Sequence, residues 1–445
     1  MTKNEIQLSD HFGYGRLLRF TWPTIMMLVF TGIYFIVDGL FISNFVGTTA
    51  FAAVTLIFPY LMIPSATVFM ISSGGSALVS KTMGEGDKER ANKLFTMLIR
   101  LVVYLGILLT VVCLIWLEPV AKMLGAEGEM LDYCIIYGKI MLYGTVPYMG
   151  QFAFQPFFAA SEKPRFGMWV TVMAGITNMI GDAILVGWLK FGVNGAAFAS
   201  VSSQIVGFII PLIYYRRKNS SKLRLTTPVW DLRAILKTFS NGSSEMVTNM
   251  SLAIVSMLYN IQLMKIVGEN GVAAYGVIMY AATIFVYIVI GYAVGFTPIV
   301  GYHYGANNLD ELHNLLVKST IMMALLGIIL TGTAELLSEQ VAGIFVGFDQ
   351  SLMQLTTRAM RIYCIAYLIL PFNILSSAYF TGLNNGLVSA TISFTRTFVM
   401  QIAAIMVLPM MFGLDGIWFA TVTAEYLSLI VSLGAFVINK KKYGY

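Results

Sequence analysis

Long apolar runs separated by short polar loops make up almost the whole chain. They place membrane spans at roughly 17–42, 52–80, 95–117, 134–160, 167–188, 194–215, 238–265, 271–302, 317–336, 357–382, 388–410 and 415–438. Most reach the ~20 residues that a helix needs to cross a bilayer core. The runs are continuous rather than alternating, so they predict helices and exclude a transmembrane barrel. Several exceed the minimum and are expected to tilt or kink, with Pro23, Pro59, Pro64, Pro147, Pro156, Pro298 and Pro371 as candidate break points.

Composition agrees with the pattern. Hydrophobic residues make up 58% and charged residues 11% of the chain, with a mean hydropathy of +0.77. A soluble domain carries about 25% charge, so the fold class is an all-α polytopic membrane protein with twelve transmembrane helices. The net charge of +6 sits mostly in short loops, where it orients the chain and offers nucleic acid no binding stripe. Lys3, Arg16, Arg19, Lys81, Lys88, Arg90, Lys93, Arg100, Lys163, Arg165, the basic residues of 216–237 and Lys440 to Lys442 all fall on one side of the twelve-span topology. The positive-inside rule makes that side cytoplasmic, and with it both termini. Cys113, Cys134 and Cys364 lie in or beside apolar segments without a CxxC or a histidine partner, and read as small hydrophobes. The first twenty residues are too polar for a signal peptide.

One long polar linker, 216–231, bisects the chain, and the two sides repeat. VGTTAFAAV at 46–54 matches VGENGVAAYG at 267–276. FGVNGAAFAS at 191–200 matches FGLDGIWFAT at 412–421, and the loop at Gly84 matches the loop at Gly305. The offset is 221 each time. Six spans separate the copies, so the repeats are parallel and imply two six-helix bundles related by a pseudo-two-fold axis along the membrane normal, with a substrate path between them. The expected division is a first bundle over 1–215, a linker over 216–236 and a second bundle over 237–445.

Polar residues inside the apolar runs carry the candidate chemistry. Asn178 and Asp182 in the fifth span are four residues apart and share one helix face. An intramembrane carboxylate costs about 2.5–3.5 kcal/mol by insertion scales, so it should face a cavity or a partner. At 1.5 Å per residue, Asp38 lies about 10 Å from the outer end of the first span, Asp182 about 8 Å from that of the fifth, and Ser200 about 10 Å into the sixth. Ala196 stands one turn before Ser200. Oxygen donors at one depth suit a hard cation, and two neighbouring carboxylates equally suit a proton. Asp38, Asn178 and Asp182 are thus candidate ligands for Na⁺. The bland alternative is that Asp38 caps a kink while Asp182 bonds Asn178.

The second half lacks this cluster. At the 221 offset Asp38 falls on Tyr259, beside Asn260, and the span 388–410 contains no acid. The charges of that half are Glu245, in a stretch that also holds Asn249, together with Arg396 and Glu425. Glu245 is a candidate for a substrate or second coupling role, and Arg396 with Glu425 for a structural pair. Lys139 and Arg361 lie near outer span ends, where they are expected to snorkel. The many methionines and aromatics suit a pocket for flat organic cations, although most must face lipid or neighbouring helices.

Missing motifs narrow the field of activities. SSGGSALVSKT lacks the glycine before lysine of a phosphate-cradling loop. No HExxH occurs, MIGDA is not GxGD, and His11, His303 and His313 are expected in cytoplasmic loops. Neither enzymatic activity nor a cofactor is expected.

The order and spacing of these features resemble a multidrug and toxic compound extrusion (MATE) transporter of the MepA-like branch. Asp38, the Asn178/Asp182 pair, Ser200, AASEKPRFG after the fourth span, GVAAYG, GYHYGANN and FGLDGIWFA carry the resemblance. It implies that Asp38, Asn178 and Asp182 bind Na⁺ or H⁺, with Ser200 where threonine is commoner and Ala196 offering a backbone carbonyl. A carboxylate that some relatives carry in the tenth span is missing here, whereas Glu245 matches an acid in their seventh. The implied function is an antiporter of a bacterial plasma membrane, exporting amphipathic or cationic drug-like compounds, and a monomer is expected. A lipid-linked oligosaccharide flippase of related architecture is the alternative, and it should show a more cationic cavity.

Overall fold

The computed structural model describes residues 6–46 and 48–445, without the side chains of Ser43, Asn44, Thr48 and Phe51. Lys3 and Gly47 therefore lie outside the described residues. The first span is α1 (Tyr14–Phe45), and the second is divided at Met62 into α2 (Thr48–Leu61) and α3 (Ile63–Gly84). The third is α4 (Lys88–Met123), and the fourth is divided at Gly144 into α5 (Gly128–Tyr143) and α6 (Thr145–Ala160). The fifth is α7 (Pro164–Gly181), which widens into a π-helical stretch, Asp182–Trp188, and the sixth is α8 (Gly192–Arg216). Beyond the linker come α9 (Leu232–Ile266), α10 (Glu269–Gly305) and α11 (Leu309–Val346). The tenth span joins α12 (Gln350–Tyr363) to α13 (Leu370–Gly382) through a 3₁₀ stretch, Cys364–Leu368. The eleventh comprises α14 (Gly386–Phe394), a second π-helical stretch (Thr395–Met400) and the start of α15 (Gln401–Tyr443).

Among the described residues, ten helical stretches are long and apolar enough to cross a membrane alone. The fourth span is split into two pieces of 16 residues each. The last two spans run together through Gly413, whose φ of 57° marks the bend. Counting both brings the total to the expected twelve. Helices overrun the apolar runs where polar caps extend them into the loops. Asp87 accepts from the Arg90 amide at 2.9 Å to start α4, and Asn308, 221 residues on, accepts from the Glu311 amide at 3.1 Å to start α11. Pro64 and Pro371 stand in the first turns of α3 and α13, at true breaks. Pro23, Pro59, Pro156 and Pro298 lie inside helices, and the fourth span breaks at Gly144, ahead of Pro147.

The repeat is visible in how the halves touch. A Cβ on Gly84 would collide with the Tyr302 carbonyl, and one on Gly305 with the Lys81 carbonyl. Lys81 and Tyr302 are again 221 apart, so the contact is reciprocal, as a two-fold axis requires. Gly74 approaches Gly242 between α3 and α9, and its mate Gly295 approaches Thr21 between α10 and α1.

One hydrophobic core, containing Phe12, Phe20, Val68, Phe296 and Tyr379, draws on both halves at the end of the molecule that carries the two termini. Toward the opposite end each half has its own core. Ile42, Ala53, Cys134 and Val186 belong to that of the first half, and Tyr259, Ile278, Ile405 and Trp418 to that of the second. The bundles are therefore joined on the terminal face and pack separately away from it.

Candidate functional site

Three spans of the first half bring the predicted polar residues together. Asn178 lies in the last turn of α7 and Asp182 begins the π-helical stretch, where the backbone ladder widens by one residue, a local irregularity frequent at functional sites. Asp182 is fully buried, and Asn178 is 1% exposed. The Asn178 Nδ2 donates to Ser200 Oγ of α8 at 3.3 Å. Asp38 of α1 lines the same cavity as Asn178 and Ser200, and its carboxylate is an electrostatic neighbour of Asp182. Ala196 is buried one turn before Ser200, in the separate core of this half.

The oxygens of this cluster are short of donors. Both carboxylate oxygens of Asp182, Oδ1 of Asp38 and Oδ1 of Asn178 are buried and accept no hydrogen bond from the described protein. Buried polar groups are almost always satisfied, because stripping one of water without replacement costs a few kcal/mol. The arrangement can therefore accept a cation or a proton. Beside it lies a cavity of ≈ 40 Å³ lined by Asp38, Asn178, Ser200, Tyr34, Tyr137 and Gln204, among others. A water needs about 10–15 Å³ in this measure, so a small ion or a few waters fit. Among the described residues no three His, Cys, Asp or Glu side chains converge on one point. Two carboxylates with neutral oxygens suit a monovalent charge rather than a caged divalent ion.

The second half answers the same positions with neutral, satisfied groups. At the 221 offset Asp38, Asn178, Asp182 and Ser200 fall on Tyr259, Val399, Ala403 and Thr421. Tyr259 is 2% exposed, its hydroxyl lies 2.7 Å from Thr421 Oγ1, and its ring stacks on Tyr275 with centroids 4.8 Å apart.

The second-half charges form a different assembly. Arg396, in the eleventh-span π-helical stretch, donates from Nη1 to Glu425 Oε1 at 3.0 Å, and both side chains are buried. Asn373 of α13 donates to Glu425 Oε2 at 2.8 Å and accepts from Ser432 Oγ at 2.8 Å. This network ties the last three spans together. Glu245 is half-buried on α9 and lies within the electrostatic reach of Arg396. Asn249 bonds back to the Glu245 carbonyl at 2.8 Å, in its own helix, and Asn260 is exposed on α9, next to but off the face of Tyr259. The structure thus brings Arg396 and Glu425 together and leaves Asn249 and Asn260 outside their network.

Some readings change. His303 is buried at 1% exposure inside α10, packed edge-on against Phe12, and is no loop residue. The apolar run ended before it, but the helix continues to Gly305 because α10 is buried there between both halves. Arg361 is half-exposed and pairs with Glu335 at 3.4 Å. Asn373 and Tyr137 were missed. For Asn373 the signal was present, as a lone amide in the apolar stretch LPFNIL.

The MatE family profile matches this chain twice in succession, at residues 23–184 and 245–407. The chain is 23% identical over 438 residues to the probable multidrug resistance protein YoeA of Bacillus subtilis, covering 95% of this chain and 94% of that one. It is likewise 23% identical to the multidrug export protein MepA of Staphylococcus haemolyticus, covering 94% and 92% respectively. Its fold superposes on the outward-facing conformation of a multidrug resistance MATE family transporter with a TM-score of 0.91, at 23% identity, covering 100% of this chain and 99% of that one. On MATE in the straight conformation the TM-score is 0.92, at 22% identity, covering 100% and 99%.

Proposed function

The chain belongs to the MatE family, and from that premise we propose that it is a secondary antiporter exporting amphipathic, often cationic, compounds across a bacterial plasma membrane in exchange for inward Na⁺ or H⁺. The observation that carries this reading is Asp182. It is a fully buried carboxylate facing a second carboxylate, with neither oxygen claimed by a protein donor. Such a group is neutralised by whatever positive charge reaches it, and the neighbouring cavity gives that charge room. Ion binding removes the repulsion between Asp38 and Asp182 and draws α1 toward α7 and α8. Moving a two-state equilibrium from 1:99 to 99:1 takes about 5.5 kcal/mol of differential binding. Leaving a buried charge without a partner costs about 3–5 kcal/mol, so one ion supplies most of what is needed. Export follows when drug and ion prefer opposite states.

The basic loops argue that the terminal face is cytoplasmic. The bundles joined there and separately packed beyond it then describe an outward-open state. Glu245 is the second-half carboxylate placed to attract a cationic substrate, since Glu425 is already occupied by Arg396 and Asn373. The same pairing weakens the flippase alternative, because the Arg396 charge is spent inside the bundle.

The test is ethidium efflux from energised vesicles under a Na⁺ gradient alone and under a pH gradient alone, with wild type beside Asp38→Asn and Asp182→Asn. Efflux driven by one gradient and lost in both variants is the expected result. Efflux indifferent to both substitutions overturns the first-half coupling site.

A further inference from the structure

The short segment ahead of α1 has its own set of partners, unrelated to the ion cluster. Leu8 and Phe12 are fully buried. The Leu8 amide donates to Glu162 Oε1 at 2.9 Å, in the turn between α6 and α7 of the first half. Lys222 of the linker approaches the same carboxylate at 3.8 Å and donates to Gln7 Oε1 at 3.4 Å. Four residues on, the hydrogen-bond partners of Phe12 all belong to the second half. The Phe12 amide donates to Glu311 Oε1 at 2.8 Å, and His11 Nδ1 lies 2.6 Å from Glu311 Oε2. The Phe12 carbonyl accepts from Asn314 Nδ2 and from Lys318 Nζ, each at 3.0 Å. The Phe12 ring sits between Phe20 of α1 and His303 of α10, with centroids 5.9 Å and 6.3 Å away.

We propose that residues 6–13 are a latch across the terminal face, holding the two halves together there through Glu162 on one side and Glu311 on the other. The proposal rests on the alternating-access reading above. The two anchors are four residues apart, and a fully extended chain spans at most ~3.3–3.6 Å per residue, about 14 Å in all. A larger parting of the terminal face breaks one anchor. Glu162 and α1 belong to the same half, so the segment stays with them and Glu311 lets go. The latch breaks the two-fold symmetry of the molecule, since the start of the second half is occupied by the linker. Its hydrogen bonds to a carboxylate are of the stronger, charge-assisted kind, and they are made on one side of the membrane only. They therefore favour the state in which the terminal face is shut.

Ser80 reports on this face, because it is fully buried in α3 against Gly301 of α10. Cys113, Cys134 and Cys364 are first replaced by alanine in the full chain, Ser80→Cys is introduced, and its labelling rate with a hydrophilic maleimide is followed in nanodiscs. Glu311→Ala is expected to speed labelling several-fold. Glu311→Gln, which keeps an acceptor for the Phe12 amide, should give a smaller rise. Asn308→Ala removes the α11 cap at the Glu311 amide but leaves the Glu311 carboxylate in place, and should raise the rate less than Glu311→Ala. If Glu311→Ala does not elute as a folded species, Asn314→Ala with Lys318→Ala, which frees the Phe12 carbonyl, carries the same expectation. A wild-type rate in the folded latch variants overturns the proposal. An equal rise with Asn308→Ala also overturns it, because helix fraying then explains the exposure. The readout needs no ion gradient and no drug, so it stands or falls separately from efflux.

Discussion

Two regions of one scaffold, placed 221 residues apart, solve the same burial problem in opposite ways. In the second half, Tyr259 and Thr421 close on each other at 2.7 Å, and neither hydroxyl is left over. In the first half, Asp38, Asn178, Asp182 and Ser200 hold the corresponding positions with one hydrogen bond among the last three and four acceptor atoms unclaimed. Folding favours the second solution, since a satisfied neutral pair carries no desolvation debt. The first leaves acceptors that a species from outside the chain can complete. The two halves thus offer two equivalent places, and the unsatisfied one is where the proposed coupling ion would act.

The largest effect expected from testing this contrast is at Asp182. Asp182→Asn should abolish gradient-driven efflux while stabilising the resting protein by about 1–3 kcal/mol, the cost of a buried group left unpaired. Vesicle transport and thermal unfolding without added Na⁺ at high pH measure the two effects. Loss of activity together with loss of stability would mean that Asp182 is a structural strut, and the contrast between the halves would fail. Next comes Glu425, whose carboxylate in the second half is held by Arg396 and Asn373. Glu425→Ala strands Arg396 inside the bundle and should cost about 3–5 kcal/mol in unfolding. Replacing both residues by apolar ones of similar size, Arg396→Met with Glu425→Leu, should recover most of that loss and retain efflux. A stable but inactive double variant would move Arg396 and Glu425 from scaffold to mechanism.

Much of this was legible in the residues. The twelve spans, the offset of 221 and the depths of Asp38, Asp182 and Ser200 follow from hydropathy and from helical rise, because both are local properties. The pairing of Arg396 with Glu425 was one of several combinations that depth alone allowed, and Asn373 decided among them by holding both Glu425 and Ser432. The π-helical stretch at Asp182 was not legible, since nothing in GDAILVGW distinguishes a widened turn from an ordinary one. Nor was the break at Gly144, which lies ahead of both candidate prolines of the fourth span, Pro147 and Pro156. The latch was invisible for a different reason. Its anchors are 154 and 299 residues away from the amides they bind, and no local pattern announces a contact of that range.

Tyr259→Phe probes the satisfied site with a smaller change. It leaves the Thr421 hydroxyl without its partner and should cost about 0.5–1.5 kcal/mol in stability. Efflux rate and ion dependence should match wild type. A change in the driving ion's apparent affinity would show that the second-half position still takes part in coupling, and the asymmetry between the halves would be one of degree.

The smallest effect should come from Ser200, the one member of the first-half cluster whose oxygen already accepts a hydrogen bond. Ser200→Ala removes the acceptor that orients the Asn178 amide, and with it one neutral hydrogen bond worth about 0.5–1.5 kcal/mol. With 1.4 kcal/mol per factor of ten, the apparent affinity for the driving ion should weaken by about 2- to 12-fold. The maximal efflux rate should persist, because Asp38 and Asp182 still supply the charge. Ser200→Thr keeps the hydroxyl and should restore the wild-type affinity, as measured by efflux against ion concentration. If Ser200→Ala abolishes efflux as completely as Asp182→Asn, the hydroxyl is a ligand that the carboxylates cannot replace. The site then discriminates by geometry as well as by charge, which favours Na⁺ over a bare proton.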